Sequence, residues 1–153
     1  LEEKQIGEAM TADDFEITAT DVSFMSQEDF SDIYAFEKEM FKEAECIMVT
    51  VNIKNMSEEK QRVTLEGFTL TSQAWTTCTA PDKYMAVNEK WNSEQYQSGS
   101  IYIESGEERK LILPFLLVKN GFTQKQWEHV KERNYELVLS LYPVKKQIKL
   151  KCV

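Results

Sequence analysis

A single histidine and three cysteines in 153 residues leave little from which to build a metal centre. Cys46, Cys78 and Cys152 lie far apart with no Cys-x-x-Cys pair, so the zinc and thioredoxin-like spacings are missing, and neither a metal nor another cofactor is expected. With so few thiols, and an odd number of them, a hydrophobic core and not a framework of bridges has to hold the fold; the expectation is three unpaired, partly buried thiols. Positive charge is also scarce. Eighteen Lys and Arg against 26 Asp and Glu give a formal net charge of −8, which excludes the clustered cationic footprint of a nucleic-acid binder and opposes adsorption to an anionic bilayer. Apolar runs are short, none approaching the roughly 18 residues of a membrane-spanning helix. The chain opens on Leu1-Glu2-Glu3-Lys4 without an initiator Met or a basic-then-apolar signal segment, so any leader or lipid anchor is expected before Leu1.

What is present is a hydrophobic fraction of 42%, enough in this length for one well-buried core, and residues 1–153 are read as a single domain. The dominant signal is short alternation of apolar and polar residues, punctuated by Gly, Asn and Pro. From Cys46 to Lys54 it is clearest: Ile47, Val49, Val51 and Ile53 share one side, while Thr50, Asn52 and Lys54 share the other, as a half-buried strand requires. Phe15, Ile17 and Ala19 share one phase and Val22 and Phe24 the other, which predicts a strand with a bulge near Thr20-Asp21. Asn55 to Glu59 reads as a turn, and Val63 and Leu65 open a partner strand whose phase flips at Glu66-Gly67, where a bulge is expected. Ile101 and Ile103 lead to a hairpin turn at Ser105-Gly106. Leu111, Leu113, Phe115 and Leu117 then follow, with Pro114 marking an edge or bulged position. Tyr135, Leu137, Leu139 and Leu141, then Ile148, Leu150 and Cys152, give the last two strands, the lysines from Lys145 to Lys151 forming the wet face of the final one.

Two segments follow the helical period. Phe30, Ile33, Tyr34, Met40 and Phe41 place a helix over about 29–42, capped by Ser26 or Asp29, although Glu37 falls on its apolar face. Thr123 with Gln126 forms a capping-box pair, and Phe122 with Trp127 occupies the two positions of a hydrophobic staple, so a short helix is expected over about 124–133, closed by a left-handed Asn134. Together these predict a mostly β protein: an immunoglobulin-like antiparallel sandwich of about seven or eight strands with two short helical insertions.

The strand Cys46-Ile-Met-Val-Thr-Val-Asn-Ile-Lys-Asn55 with polar residues behind it, Gly7 before the first long strand, and Ser105-Gly106-Glu107 leading into Leu111-Ile-Leu-Pro-Phe115 carry a resemblance. The chain resembles the uncharacterised immunoglobulin-like domains of Gram-positive extracytoplasmic lipoproteins, akin to the secreted mycobacterial immunogenic antigen fold. The resemblance implies an exported, lipid-tethered sandwich of unknown function, with no family active site to carry over.

No catalytic constellation is recognisable. His129 stands beside Glu128 and Glu132 with no partnered nucleophile, Ser105-Gly106 lacks the Gly-x-Ser-x-Gly elbow, and the Asp13-Asp14 and Asp21 loops lack the ordered calcium-loop pattern. Glu107-Glu108 and similar carboxylate pairs are read as solvated faces, and the Asn55-Met56-Ser57 sequon carries no weight. The aromatic residues between Trp75 and Tyr102 are the best binding candidates, because flat rings on polar loops remove large area from water at low entropic cost. Trp75 is assigned to the core, and Tyr84, Trp91 and Tyr96 to a candidate binding surface. The expected role is a non-catalytic, extracytoplasmic binding module for an envelope protein, peptide or cell-wall glycan. The competing reading is a cell-envelope hydrolase using a carboxylate pair, or His129 with a serine or cysteine.

Overall fold

In the computed structural model, which describes residues 1–33, 43–72, 79–82, 99–140 and 143–150, the long alternating segments are strands of two facing sheets. One sheet runs β2 (Ala9–Ala12), β3 (Phe15–Phe24), β4 (Ala44–Asn55), β8 (Glu108–Val118), all antiparallel. The other runs β1 (Glu2–Gln5), β10 (Lys146–Leu150), β9 (Tyr135–Ser140), β6 (Thr69–Thr71), and there β1 lies parallel to β10. A ribbon of β5 (Gln61–Thr64) and β7 (Ser100–Ile103) completes the set. The helices are α1 (Gln27–Ile33) and α2 (Gln124–Glu128).

β4 is the spine. Its β-branched residues Ile47, Val49, Val51 and Ile53 are fully buried, and across the interior they belong to one core with Leu70, Tyr135, Leu137, Ile148 and Leu150 of the opposite sheet. Tyr135 is buried at full size because its hydroxyl donates to the Val130 carbonyl at 2.6 Å. The bulge expected near Thr20-Asp21 is present, since the β3–β4 register shifts between Ala19 and Asp21, and both phases of β3 thereby turn Ile17, Ala19 and Val22 inward. Pro114 sits on the edge strand β8. Its carbonyl accepts from the Asp82 N–H at 2.8 Å on the side away from β4, so its missing N–H also points outward and no ladder bond is lost. On the outer face of β4 a smaller cluster of Met25, Phe30, Ala44 and Cys46 forms under α1.

Several expectations are corrected. Ten strands stand among the described residues, because β1 and β2 are too short to show alternation, and the pairing of β1 with β10 joins ends of the chain far apart in sequence. The phase flip at Glu66-Gly67 is not a bulge. A one-turn 3-10 helix, Leu65–Gly67, carries the chain from the β5–β7 ribbon to β6 in the other sheet, and β5 pairs with β7, not with β4. Ser105-Gly106 is a tight turn, with Gly106 at φ 73° and the Glu107 N–H on the Glu104 carbonyl at 3.0 Å, but the strands it joins do not pair with each other. α1 begins at Gln27, with the Ser26 hydroxyl accepting from the Asp29 N–H at 3.2 Å, and residues 34–42 of the expected helix lie outside the described residues. The capping box of Thr123 and Gln126 forms, and Phe122 meets Trp127 with ring centroids 5.5 Å apart. That helix nonetheless ends at Glu128, and Asn134 is not left-handed.

The residue that joins most of these elements is Asn55. Fully buried, it donates from Nδ2 to the carbonyls of Glu59 (2.8 Å) and Ile103 (2.9 Å), while Oδ1 accepts from the Ser57 N–H (2.9 Å) and hydroxyl (2.8 Å). Its backbone closes the neighbouring turn, accepting from Gly106 at 2.9 Å and donating to Glu107 at 3.0 Å. The sequon asparagine is therefore a structural amide with no capacity left for modification. Asn55→Ala strands several buried groups and is expected to lower stability by about 2–4 kcal/mol; a urea midpoint unchanged from the parent would show that these bonds are not what joins the turns.

Candidate functional site

At the end of the sandwich where the Asn55 turn lies, the sheets part around a cleft of about 150 Å³. Phe15, Ile17, Ile53, Val63, Phe68 and Leu139 line it with apolar surface, and Ala12, Asp13, Arg62, Thr64 and Gly67 complete the lining. It forms where three elements meet: the β2–β3 turn, the β5 strand with its following 3-10 turn, and the end of β9. The Asn55 network fixes two of these. Met56 N–H donates to the Asp14 carbonyl at 2.8 Å, which holds the β2–β3 turn, and Asn55 Nδ2 on Ile103 holds β7, whose residue Ile103 pairs with Gln61 next to Arg62.

The lining also includes two exposed residues of opposite charge, Asp13 and Arg62. Asp13 has a left-handed backbone at φ 51°, a conformation that aspartate tolerates better than most residues. Arg62 donates from Nε to the Ser100 hydroxyl at 2.9 Å, which orients the guanidinium and leaves its terminal nitrogens to other acceptors. Among the described residues neither side chain belongs to an ion pair. A second depression, about 270 Å³, is lined by Glu45, Trp127, Glu128, Val130, Lys131 and Glu132 beside α2. Here Lys131 meets Glu45 at 3.5 Å, Glu132 meets His129 at 2.8 Å, and Glu128 accepts from Gln124 Nε2 at 3.4 Å. The cleft, with unmatched charges over apolar walls, is the better seat for a ligand.

The residues singled out from sequence fall elsewhere. Tyr84, Trp91 and Tyr96 lie outside the described residues, as do Trp75, Cys78 and Cys152. Tyr102, 56% exposed on β7, has the Lys60 ammonium 5.4 Å from its ring centroid. His129 is an exposed end-of-helix residue bonded through Nδ1 to Glu132. Glu107 is held by Arg109 at 2.9 Å, which keeps its carboxyl below the usual range. Among the described residues no three His, Cys, Asp or Glu side chains gather to hold a metal ion, and no helix is long and apolar enough to cross a membrane. Sequence reading missed both Arg62 and Asp13 as a pair, since 49 positions separate them and only the fold brings them to one cleft.

Two titratable groups elsewhere carry the marks of burial. Desolvation, with the Asp82 charge adding to it, pushes the Cys46 thiol up to about 12, so it is no nucleophile at neutral pH. Glu136, 3% exposed on β9, is raised by burial and by Glu3, against the opposing pull of Lys145 and Lys149.

Residues 1–146 match the family model described as Domain of unknown function (DUF5028). No curated protein matches the chain. Among solved structures, the candidate lipoprotein ycdA of Bacillus subtilis superposes with a TM-score of 0.56 at 18% identity, over 94% of this chain and 38% of that one. The yjhA protein of the same species gives 0.57 at 16% identity over 97% and 99% of the two chains. An uncharacterised β-sandwich protein of Clostridium difficile gives 0.52 at 12% over 98% and 94%. At these identities the likeness speaks for the fold, and the chain spans well under half the length of ycdA. The resemblance to domains of uncharacterised Gram-positive proteins read from the strand pattern is thus met, and the mostly β sandwich with it.

Two outcomes follow from the buried groups. In a Cys78→Ser, Cys152→Ser background, Cys46 should react with a thiol reagent at pH 8 at least about a hundredfold more slowly in the native chain than in urea; equal rates would mean that the thiol is not enclosed. A raised carboxyl favours the folded state only below its unfolded value, and that contribution is lost as pH rises through the folded value. Glu136→Gln should therefore raise the urea midpoint at pH 7 and leave it nearly unchanged at pH 3, a difference absent if burial of the charge costs nothing.

Proposed function

The chain belongs to the DUF5028 family, a domain of unknown function, and from that premise we propose that it is a non-catalytic binding module working outside the cytoplasmic membrane, tied to the envelope by a lipidated cysteine that precedes Leu1. The observation that carries the binding role is the cleft. A recess with apolar walls whose lining also includes an exposed cation and an exposed anion, neither held in an ion pair among the described residues, offers a guest both hydrophobic cover and charge. The placement is supported by the likeness in fold to a candidate lipoprotein and by an acidic, weakly apolar composition compatible with an aqueous compartment. A non-catalytic role is favoured by the condition of the groups that would do chemistry: among the described residues His129 bonds Glu132 and no nucleophile, and the Cys46 thiol is enclosed and protonated. Partners of the module are an envelope protein, peptide or cell-wall glycan, contacted through Tyr84, Trp91 and Tyr96 as well as the cleft.

The test is capture from detergent-solubilised envelope by the intact chain, compared with a Trp91→Ala, Tyr96→Ala variant and with an Ala12→Phe variant that narrows the cleft, each shown to be folded by circular dichroism. A partner retained by the intact chain and lost by either variant is expected. Turnover of cell-wall glycan or peptide by the intact chain, abolished in Glu136→Gln or His129→Ala, would replace this reading with that of a hydrolase.

A further inference from the structure

We propose that the cleft is a site for a free amino acid with one apolar, benzene-sized or branched side chain, its carboxylate taken by Arg62 and its ammonium by Asp13. This rests on the reading of the cleft as the seat of a ligand and names the ligand's class. Size comes first. At about 150 Å³ the space matches the volume that accepts a benzene-sized guest, so a phenyl, isobutyl or sec-butyl group fits.

Charge then selects among molecules of that size. A guanidinium fixed through Nε to Ser100 keeps its terminal N–H groups for a planar anion, and carboxylate is the anion that matches a guanidinium in two parallel bonds. A lone apolar carboxylate would satisfy Arg62 but bring a second negative charge toward Asp13; a lone apolar amine would satisfy Asp13 but approach Arg62. An α-amino acid carries both charges on one carbon, with the apolar group on that same carbon to cover Phe15, Ile17 and Phe68. The two receiving groups are positioned in advance. Asp13 sits on a turn anchored by the Met56 N–H to the Asp14 carbonyl at 2.8 Å, and Arg62 follows Gln61, whose Nε2 donates to the Ser57 hydroxyl at 3.2 Å. The C-terminal residue of a peptide offers the same carboxylate and side chain but has no ammonium for Asp13.

Calorimetric titration of the intact chain at pH 7 with L-phenylalanine, L-leucine, N-acetyl-L-phenylalanine and L-phenylalaninamide tests the assignment. Both free amino acids are expected to bind, with the acetylated and amidated forms weaker by about tenfold or more. Arg62→Gln should weaken the free acid and abolish its advantage over the amide. Asp13→Asn, which keeps the tolerance for a left-handed backbone, should abolish the advantage over the acetylated form; these selective losses are not what misfolding produces. Equal affinity for the acetylated and free forms would overturn the proposal in favour of a peptide C-terminus. Absence of binding by either amino acid would overturn it outright, and a partner still captured from envelope in that case would leave the binding module standing without this ligand.

Discussion

A carboxamide shut away from water has to be matched on every side, and the fully buried side chain of Asn55 is matched by groups from its own turn and from the end of β7. Left unpaired, each such group would cost about 1–3 kcal/mol, comparable to burying a whole aliphatic side chain. Satisfying all of them at once is possible in only one arrangement of the 55–59 turn and the end of β7, with the 104–107 turn held by the Asn55 backbone. The arrangement extends outward. Ser105 Oγ donates to the Ser57 carbonyl at 2.7 Å, and Met56 fixes the β2–β3 turn through Asp14, so one residue sets the relative position of three connections at the same end of the sandwich. The cleft lies beside them, lined by Asp13 of the β2–β3 turn and by strand residues such as Ile17, Ile53 and Val63.

Asp13 and Arg62 at the cleft stand outside the ion pairs that tie other charges of the described residues together. Along the β1–β10 edge, Lys149 meets Glu3 at 3.2 Å and Lys146 meets Glu2 at 3.7 Å. Arg62 escapes this because its strand is pinned to β7 and its Nε is engaged by Ser100, while Asp13 is committed to a left-handed turn position whose backbone is set by the neighbouring network. Pre-organisation of this kind lowers the ordering cost a ligand would otherwise meet.

The sandwich was legible because its signals are local. Alternation in β4, the phase change in β3 and the Thr123 capping box all depend on residues within a few positions of one another, and each is found where expected. What stayed hidden depends on pairs distant in sequence. β1 has no apolar period of its own and is a strand only because β10 lies beside it more than 140 positions later. Asn55 reads as a turn residue or a sequon until Ile103, 48 positions on, is seen to accept its hydrogen bond. Gly67 marks a true break in phase, but whether the break is a bulge or a passage between sheets is decided by where β6 finds its partner, β9. The same reasoning separates Asp13 from Arg62: each is an ordinary exposed charge in sequence, and their joint meaning exists only in the folded end of the molecule.

Magnitudes decide what kind of binding such a cleft supports. Covering a phenyl-sized group removes about 150 Å² from water, worth roughly 4 kcal/mol at about 25 cal/mol per Å². Charge-assisted contacts at the two ends contribute about 2 kcal/mol each where water is displaced. Against this, the loss of translational and rotational freedom costs at least about 4 kcal/mol, and what remains corresponds to dissociation near about 1 mM. A site of that strength does not sequester its ligand. Its occupancy follows concentration over the range in which small metabolites occur, and the rigid frame around Asn55 means that little of the binding energy is consumed in shaping the site. Tighter binding would require more apolar cover than the lining of this cleft provides, so a guest of the proposed kind would exchange readily with solution.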